Sequence, residues 1–92
     1  MLCSIVYRII EHTQIHLPMD IKIAIGERIA ELRKAKNLSQ QQFAYEAEIE
    51  RSYLSHLEKG RKNISVDMLV KITTALNISL KDFFKQEVFN KP

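Results

Sequence analysis

The chain has 92 residues, 46% of them apolar and 27% charged, with a formal net charge of +3, one Cys, two Gly and two Pro. That length sets one domain with at most a short appendage, and a core that buries roughly 60–65% of the unfolded surface. Disorder does not fit such apolar content, an all-β fold needs more turn residues, and a lone Cys excludes an internal disulfide and a thiolate zinc site, so a reducing cytoplasm is the expected location.

Residues 1–20 differ from the rest and read as an N-terminal extension. Leu2, Ile5, Val6, Ile9 and Ile10 fall at helical spacing, but the same run is rich in β-branched residues, so helix and strand both remain open. Arg8 and Glu11 interrupt the apolar run, which is too short for a signal peptide or for a membrane span of about 20 residues. Pro18 marks a boundary. The segment is either an arm packing on the domain or on a second subunit, or an extension ahead of a native start at Met19. His12 and His16 have helical metal-ligand spacing, yet Thr13 stands where a zincin needs Glu, and Cys3 has no orienting group. No metal, cofactor or catalytic site is read from these residues.

Five short helices are predicted after Asp20. Ile21, Ile25, Ile29 and Leu32 give one face to a helix over 21–36, capped by Asp20 and stopped by Asn37. Ser39 with Gln42 forms a capping box for a second helix carrying Phe43, Ala44 and Ala47. A third spans 51–59 with Tyr53, Leu54 and Leu57, and Gly60 ends it. Ser65 caps a fourth, with Met68, Leu69, Ile72 and Leu76 on its face and Asn77 as its stop. Ser79 caps a fifth carrying Leu80, Phe83, Phe84 and Val88. Helices this short are unstable alone. They must share one core, expected to comprise Ile25, Ile29, Leu32, Phe43, Ala44, Ile49, Leu54, Leu57, Leu69, Ile72, Leu76 and Phe84. The fold class is all-α, a five-helix bundle.

The charges are local. Lys59, Arg61 and Lys62 flank Gly60, and Glu46, Glu48 and Glu50 put three negative charges in five positions just before the third helix. A mild basic excess permits nucleic-acid binding without proving it.

The run Leu38-Ser39-Gln40-Gln41-Gln42-Phe43-Ala44, then Ile49, then Ser52-Tyr53-Leu54-Ser55-His56-Leu57-Glu58-Lys59-Gly60 resembles the helix-turn-helix of Xre/Cro-type regulators. Ile25-Gly26 with Ile29 and Leu32-Arg33 is similar to that family's first helix, and Leu69 to Phe84 to its closing pair. Glu50-Arg51-Ser52-Tyr53-Leu54-Ser55 followed by Glu58-Lys59-Gly60-Arg61-Lys62-Asn63-Ile64-Ser65 is similar to the controller proteins of restriction–modification systems. The resemblance implies a lambda-repressor-like DNA-binding fold over residues 21–89, with 90–92 as a tail. Two positions depart from the pattern. Glu48 replaces a common turn Gly, at a cost of about 1 kcal/mol if left-handed, and Glu50 is a poor helix cap.

What the resemblance implies is a third helix in the major groove. Arg51, Ser52, Ser55 and His56 are then the base readers, with Arg51 able to give two hydrogen bonds to guanine. Gln40, Tyr53, Arg61, Lys62 and Asn63 are the expected phosphate contacts, with Gln40 also bracing Arg51; Tyr53 can alternatively pack in the core. Arg33 and Glu58 correspond to a buried structural ion pair. One unit covers about half a turn of duplex, so a homodimer on a palindromic operator is expected. Its surface is sought at Phe83, Phe84, Val88 and Phe89 or at the N-terminal arm. The implied function is a sequence-specific regulator of transcription that partners double-stranded DNA, with no enzyme activity, cofactor, membrane or small-molecule ligand. The alternatives are an antitoxin of a toxin–antitoxin pair and a protein-interaction module that has lost DNA binding.

Overall fold

The computed structural model describes residues 20–85, in which the helices are α1 (Ile21–Ala35), α2 (Gln40–Ala47), α3 (Arg51–Glu58), α4 (Val66–Leu76) and α5 (Leu80–Phe83). The readings made for Cys3, His12, His16, Val88, Phe89, the 1–19 segment and the 90–92 tail lie outside the described residues.

Four of the five described helix starts follow from one polar side chain. The Asp20 carboxylate accepts from the Lys22 N–H at 3.0 Å. Ser39 Oγ accepts from the Gln42 N–H at 3.0 Å while Gln42 Oε1 accepts from the Ser39 N–H at 2.9 Å, a complete capping box. Ser65 and Ser79 cap α4 and α5 in the same way, accepting from Met68 and Asp82. Among the described helices α3 alone begins without a side-chain cap, after Glu50.

Four of the five described helices end on one device. Asn37, Glu48, Gly60 and Asn77 all have positive φ. The residue after each returns its N–H to a carbonyl five positions back: Leu38 to Arg33, Ile49 to Ala44, Arg61 to His56 and Ile78 to Thr73, at 2.9 to 3.2 Å. These are Schellman closures, which bring the chain round without orphaning the last carbonyls. In three of the four the next residue is apolar (Leu38, Ile49, Ile78), and it packs against the core.

Ile29, Phe43, Ala44, Ala47, Leu54, Leu57, Ile72, Leu76 and Phe83 form the buried core. Ile25, Leu32, Ile49, Leu69 and Phe84 were expected in the interior and instead cover it as partly buried residues. Phe83 corrects the expectation that it belongs to a dimer surface. It is fully buried, while Phe84 lies at the edge against it, the two rings 4.9 Å apart and edge-on. Arg28 on α1 fixes this choice. Its Nε donates to the Phe83 carbonyl and its Nη2 to the Asp82 carbonyl, both at 2.7 Å. Those bonds satisfy the open end of the one-turn α5 and hold it on α1.

α1 crosses the far end of α3 at very short range. A β-carbon on Gly26 would stand 2.2 Å from the Leu57 carbonyl oxygen. Gly60 also packs tightly on the start of α1, where a β-carbon would lie 2.9 Å from the Ile23 Cα. α3 is thereby pressed down at its C-terminal end and left free at its N-terminal end.

A candidate nucleic-acid interface at the start of the third helix

α3 has two sides. Leu54 and Leu57 are buried, and Tyr53 packs half-buried against the core. Arg51 and Ser52 are exposed, and Ser55 is half-buried. Arg51 and Ser55 are four residues apart and share a face. His56, expected near the face of Arg51, lies outside the Arg51–Ser55 row and instead follows Ser52 by four residues. Five residues along a helix turn a side chain about 140° away, and His56 is half-buried.

The free end of α3 suits a polyanion. Glu50 places no side chain on the first N–H groups, so the positive end of the helix faces outward. The Arg51 guanidinium has no hydrogen bond or ion pair among the described residues. It is available to a ligand without first breaking an internal bond.

The other end of α3 is pinned by a buried carboxylate. Glu58 Oε2 accepts from Arg33 Nε at 2.7 Å, and Glu58 Oε1 accepts from Arg33 Nη2 at 3.0 Å. The side chains are only 9% and 7% exposed. Arg33 Nη1 donates to the Leu38 carbonyl at 2.7 Å, so the same guanidinium also holds the connection into α2. This is the forked geometry that suits Arg to a carboxylate.

Gln40 opens α2, the position expected to meet a phosphate and brace Arg51. Its amide Nε2 donates to Glu58 Oε1 at 2.9 Å. Arg61, Lys62 and Asn63 are all exposed in the connection from α3 to α4. The Arg61 N–H bonded to the His56 carbonyl ties that connection to α3.

Two features were missed by sequence reasoning. Lys22, at the start of α1, lines one groove with Lys62, Asn63, Ile25, Leu57 and Ile64. It adds a cation beside the loop from forty positions away, which no local pattern signals. The Gln40–Glu58 bond is likewise a pairing of distant residues. Glu48, standing where the resemblance has a turn Gly, is left-handed at φ 60 and ψ 45, with its carbonyl accepting from Lys71 Nζ at 3.3 Å.

An exposed, uncapped helix held at its other end, beside a helix that begins with a capping box, is the arrangement of a helix-turn-helix. The chain belongs to the helix-turn-helix family, whose profile matches residues 29–83. It is 42% identical over 66 residues to the control protein C.MunI of Mycoplasma sp, a match covering 71% of this chain and 89% of that one. The restriction-modification controller protein C.AhdI from Aeromonas hydrophila is 39% identical, with a TM-score of 0.65 over 67% of this chain and 94% of that one. The controller protein C.Esp1396I, solved as a tetramer in complex with its natural 35 base-pair operator, is 26% identical, with a TM-score of 0.70 over 80% of this chain and 95% of that one.

Proposed function

We infer that the chain is a sequence-specific, double-stranded-DNA-binding regulator of transcription, acting as a homodimer on a palindromic operator, in the manner of a restriction–modification controller. The observation that carries this reading is the position of Arg51: exposed, unpaired and at the uncapped end of a helix whose other end is locked by the Arg33–Glu58 pair. A helix presented in this way enters the major groove with its first residues against the base edges. Arg51 reads guanine through its two-pronged donor, and Ser52 and Ser55 add weaker contacts. His56 contributes from the side of Ser52, four residues before it.

Arg61, Lys62 and Asn63 hold the sugar-phosphate backbone flanking the groove, with Lys22 beside them, and Tyr53 reaches toward it with its hydroxyl. Such contacts set register and carry no sequence information. Gln40 meets the backbone at the start of α2. The likeness to an operator-bound controller tetramer supports duplex DNA as the ligand and more than one copy of the chain on it. The family is one of regulators and not of enzymes. No helix among the described residues is long and apolar enough to cross a membrane, and a cytoplasmic location follows from DNA as partner.

The test is a titration of the full chain against a duplex selected from a random pool and against an unrelated duplex. The reading requires selected sites with twofold symmetry and affinity for them about a thousandfold or more above the unrelated duplex. Equal affinity for both would overturn it.

A further inference from the structure

The groove beside the basic loop has an apolar floor and a cationic lip. Ile21, Ile25 and Ile64 line it together with Lys22, Lys62 and Asn63, and no carboxylate stands among its lining residues. Its volume is about 290 Å³. Sites for cofactors and drug-sized molecules run from about 300 to 1,000 Å³, so this one suits a few side chains. Ile21 at its edge is 47% exposed. Neither Lys22 nor Lys62 has a hydrogen bond or ion pair from its ammonium group among the described residues.

The chain carries its own occupant for this groove. Residues 1–19 join the domain at Asp20, directly before two of the lining residues, Ile21 and Lys22. That stretch holds Leu2, Ile5, Val6, Ile9 and Ile10, and Glu11 follows them directly. Ten residues separate Ile10 from Ile21. Fully extended they span up to about 33–36 Å, so length does not keep the apolar run from returning to the groove. We propose that the apolar run of residues 2–10 docks in the groove between the start of α1 and the loop after α3, with Glu11 against Lys22 and Lys62. Burial of the isoleucine side chains drives the docking. The carboxylate fixes its direction more than its strength, since an exposed ion pair adds little. A short tether presents the run at an effective concentration of about millimolar order, whereas the run of a second copy arrives only at its bulk concentration. Once docked, the run covers Lys62 and Asn63. These are the residues assigned to the DNA backbone, so the run and a duplex compete for one loop. That competition rests on the proposed DNA reading, and the docking does not.

Cys3 is the one thiol of the chain, and it takes a nitroxide label without any substitution. In the isotope-labelled full-length protein, the amide signals are recorded before and after the nitroxide is reduced. The expected result is that Lys62, Asn63 and Ile64 lose more intensity to the nitroxide than the residues of α2, none of which lines the groove. Ile9→Ser/Ile10→Ser in the run and Ile21→Ser at the groove edge are each expected to restore that intensity, with thermal unfolding recorded to show that both variants are folded. Saturating the wild-type protein with the selected duplex is expected to restore it as well. Equal loss in α2 and in the loop would overturn the docking, and so would a loss that both variants retain. A loss seen only when nitroxide-labelled chains are mixed with isotope-labelled chains would seat the run on a second copy and overturn it too. If the loss persists with the duplex bound, the competition is overturned. If the wild-type protein binds no duplex, the DNA reading fails while the footprint on the loop still supports the docking.

Discussion

Gly26 on α1 and Leu57 on α3 meet backbone to backbone. A β-carbon on Gly26 would lie 2.2 Å from the Leu57 carbonyl oxygen and 2.8 Å from that of Glu58. Helix propensity alone favours Ala over Gly by about 0.5–1 kcal/mol. Contact decides against it, since the neighbouring atoms are main chain and cannot rotate away. Gly26→Ala is expected to lower stability by about 1–3 kcal/mol or more, read from the urea midpoint. A stabilised variant would mean the two helices are further apart than described.

The Arg33–Glu58 pair makes the second prediction. Glu58→Ala strands a buried guanidinium and removes the acceptor of Gln40, at an expected cost of about 3–5 kcal/mol. Replacing both partners by apolar residues, as in Arg33→Met with Glu58→Leu, is expected to recover much of that loss, because no buried charge is left unpaired. Chemical denaturation of the three variants checks both halves. If the double variant were as unstable as the single one, desolvation of the charges would not be the governing term.

Glu48 gives a change of opposite sign. It holds φ 60, where a β-carbon is unfavourable, while Asn and Gly occupy the three other left-handed stops. Glu48→Gly is expected to stabilise the fold by about 1 kcal/mol, which for a domain of this size is a rise in Tm of about 4–8 °C. The bond from Lys71 goes to the Glu48 carbonyl and survives the change. A lower Tm would contradict the strain argument.

Lys62 is exposed in the loop after α3. As a phosphate contact it acts alike on every sequence, so Lys62→Ala is expected to weaken all duplexes and reduce the slope of log affinity against log salt by about one. Titrations at several salt concentrations measure that slope. An unchanged slope would remove Lys62 from the footprint.

The helix starts could be read from the sequence because a cap is a local bond. Ser39, Ser65 and Ser79 each reach an N–H three residues on, and nothing distant intervenes. The stops at Asn37 and Asn77 were legible for the same reason, and so was the split of α3 into a Leu54–Leu57 side and an Arg51 side. The end of the chain was not. Between the adjacent rings of Phe83 and Phe84, periodicity over a single turn cannot choose, and the deciding group is Arg28, fifty-five positions away from Phe83. Of the candidate site, the basic loop shows in its run of charges and Arg51 through the family resemblance, but the Gln40–Glu58 bond and the approach of Lys22 to Lys62 exist only once the chain has folded. His56 belongs with Ser52 rather than with Arg51, because five positions turn a helix by about 140° and four bring it nearly round.

The central claim is that Arg51 reads a base. Selecting duplexes from a random pool in parallel with the wild-type chain and with Arg51→Ala tests it most directly. The account predicts symmetric sites for the wild type, with a guanine in each half that Arg51→Ala alone stops selecting, at a cost of about 1–3 kcal/mol on the wild-type site. If both proteins enriched the same sites with the same base preferences, α3 would not be reading DNA through its first residue.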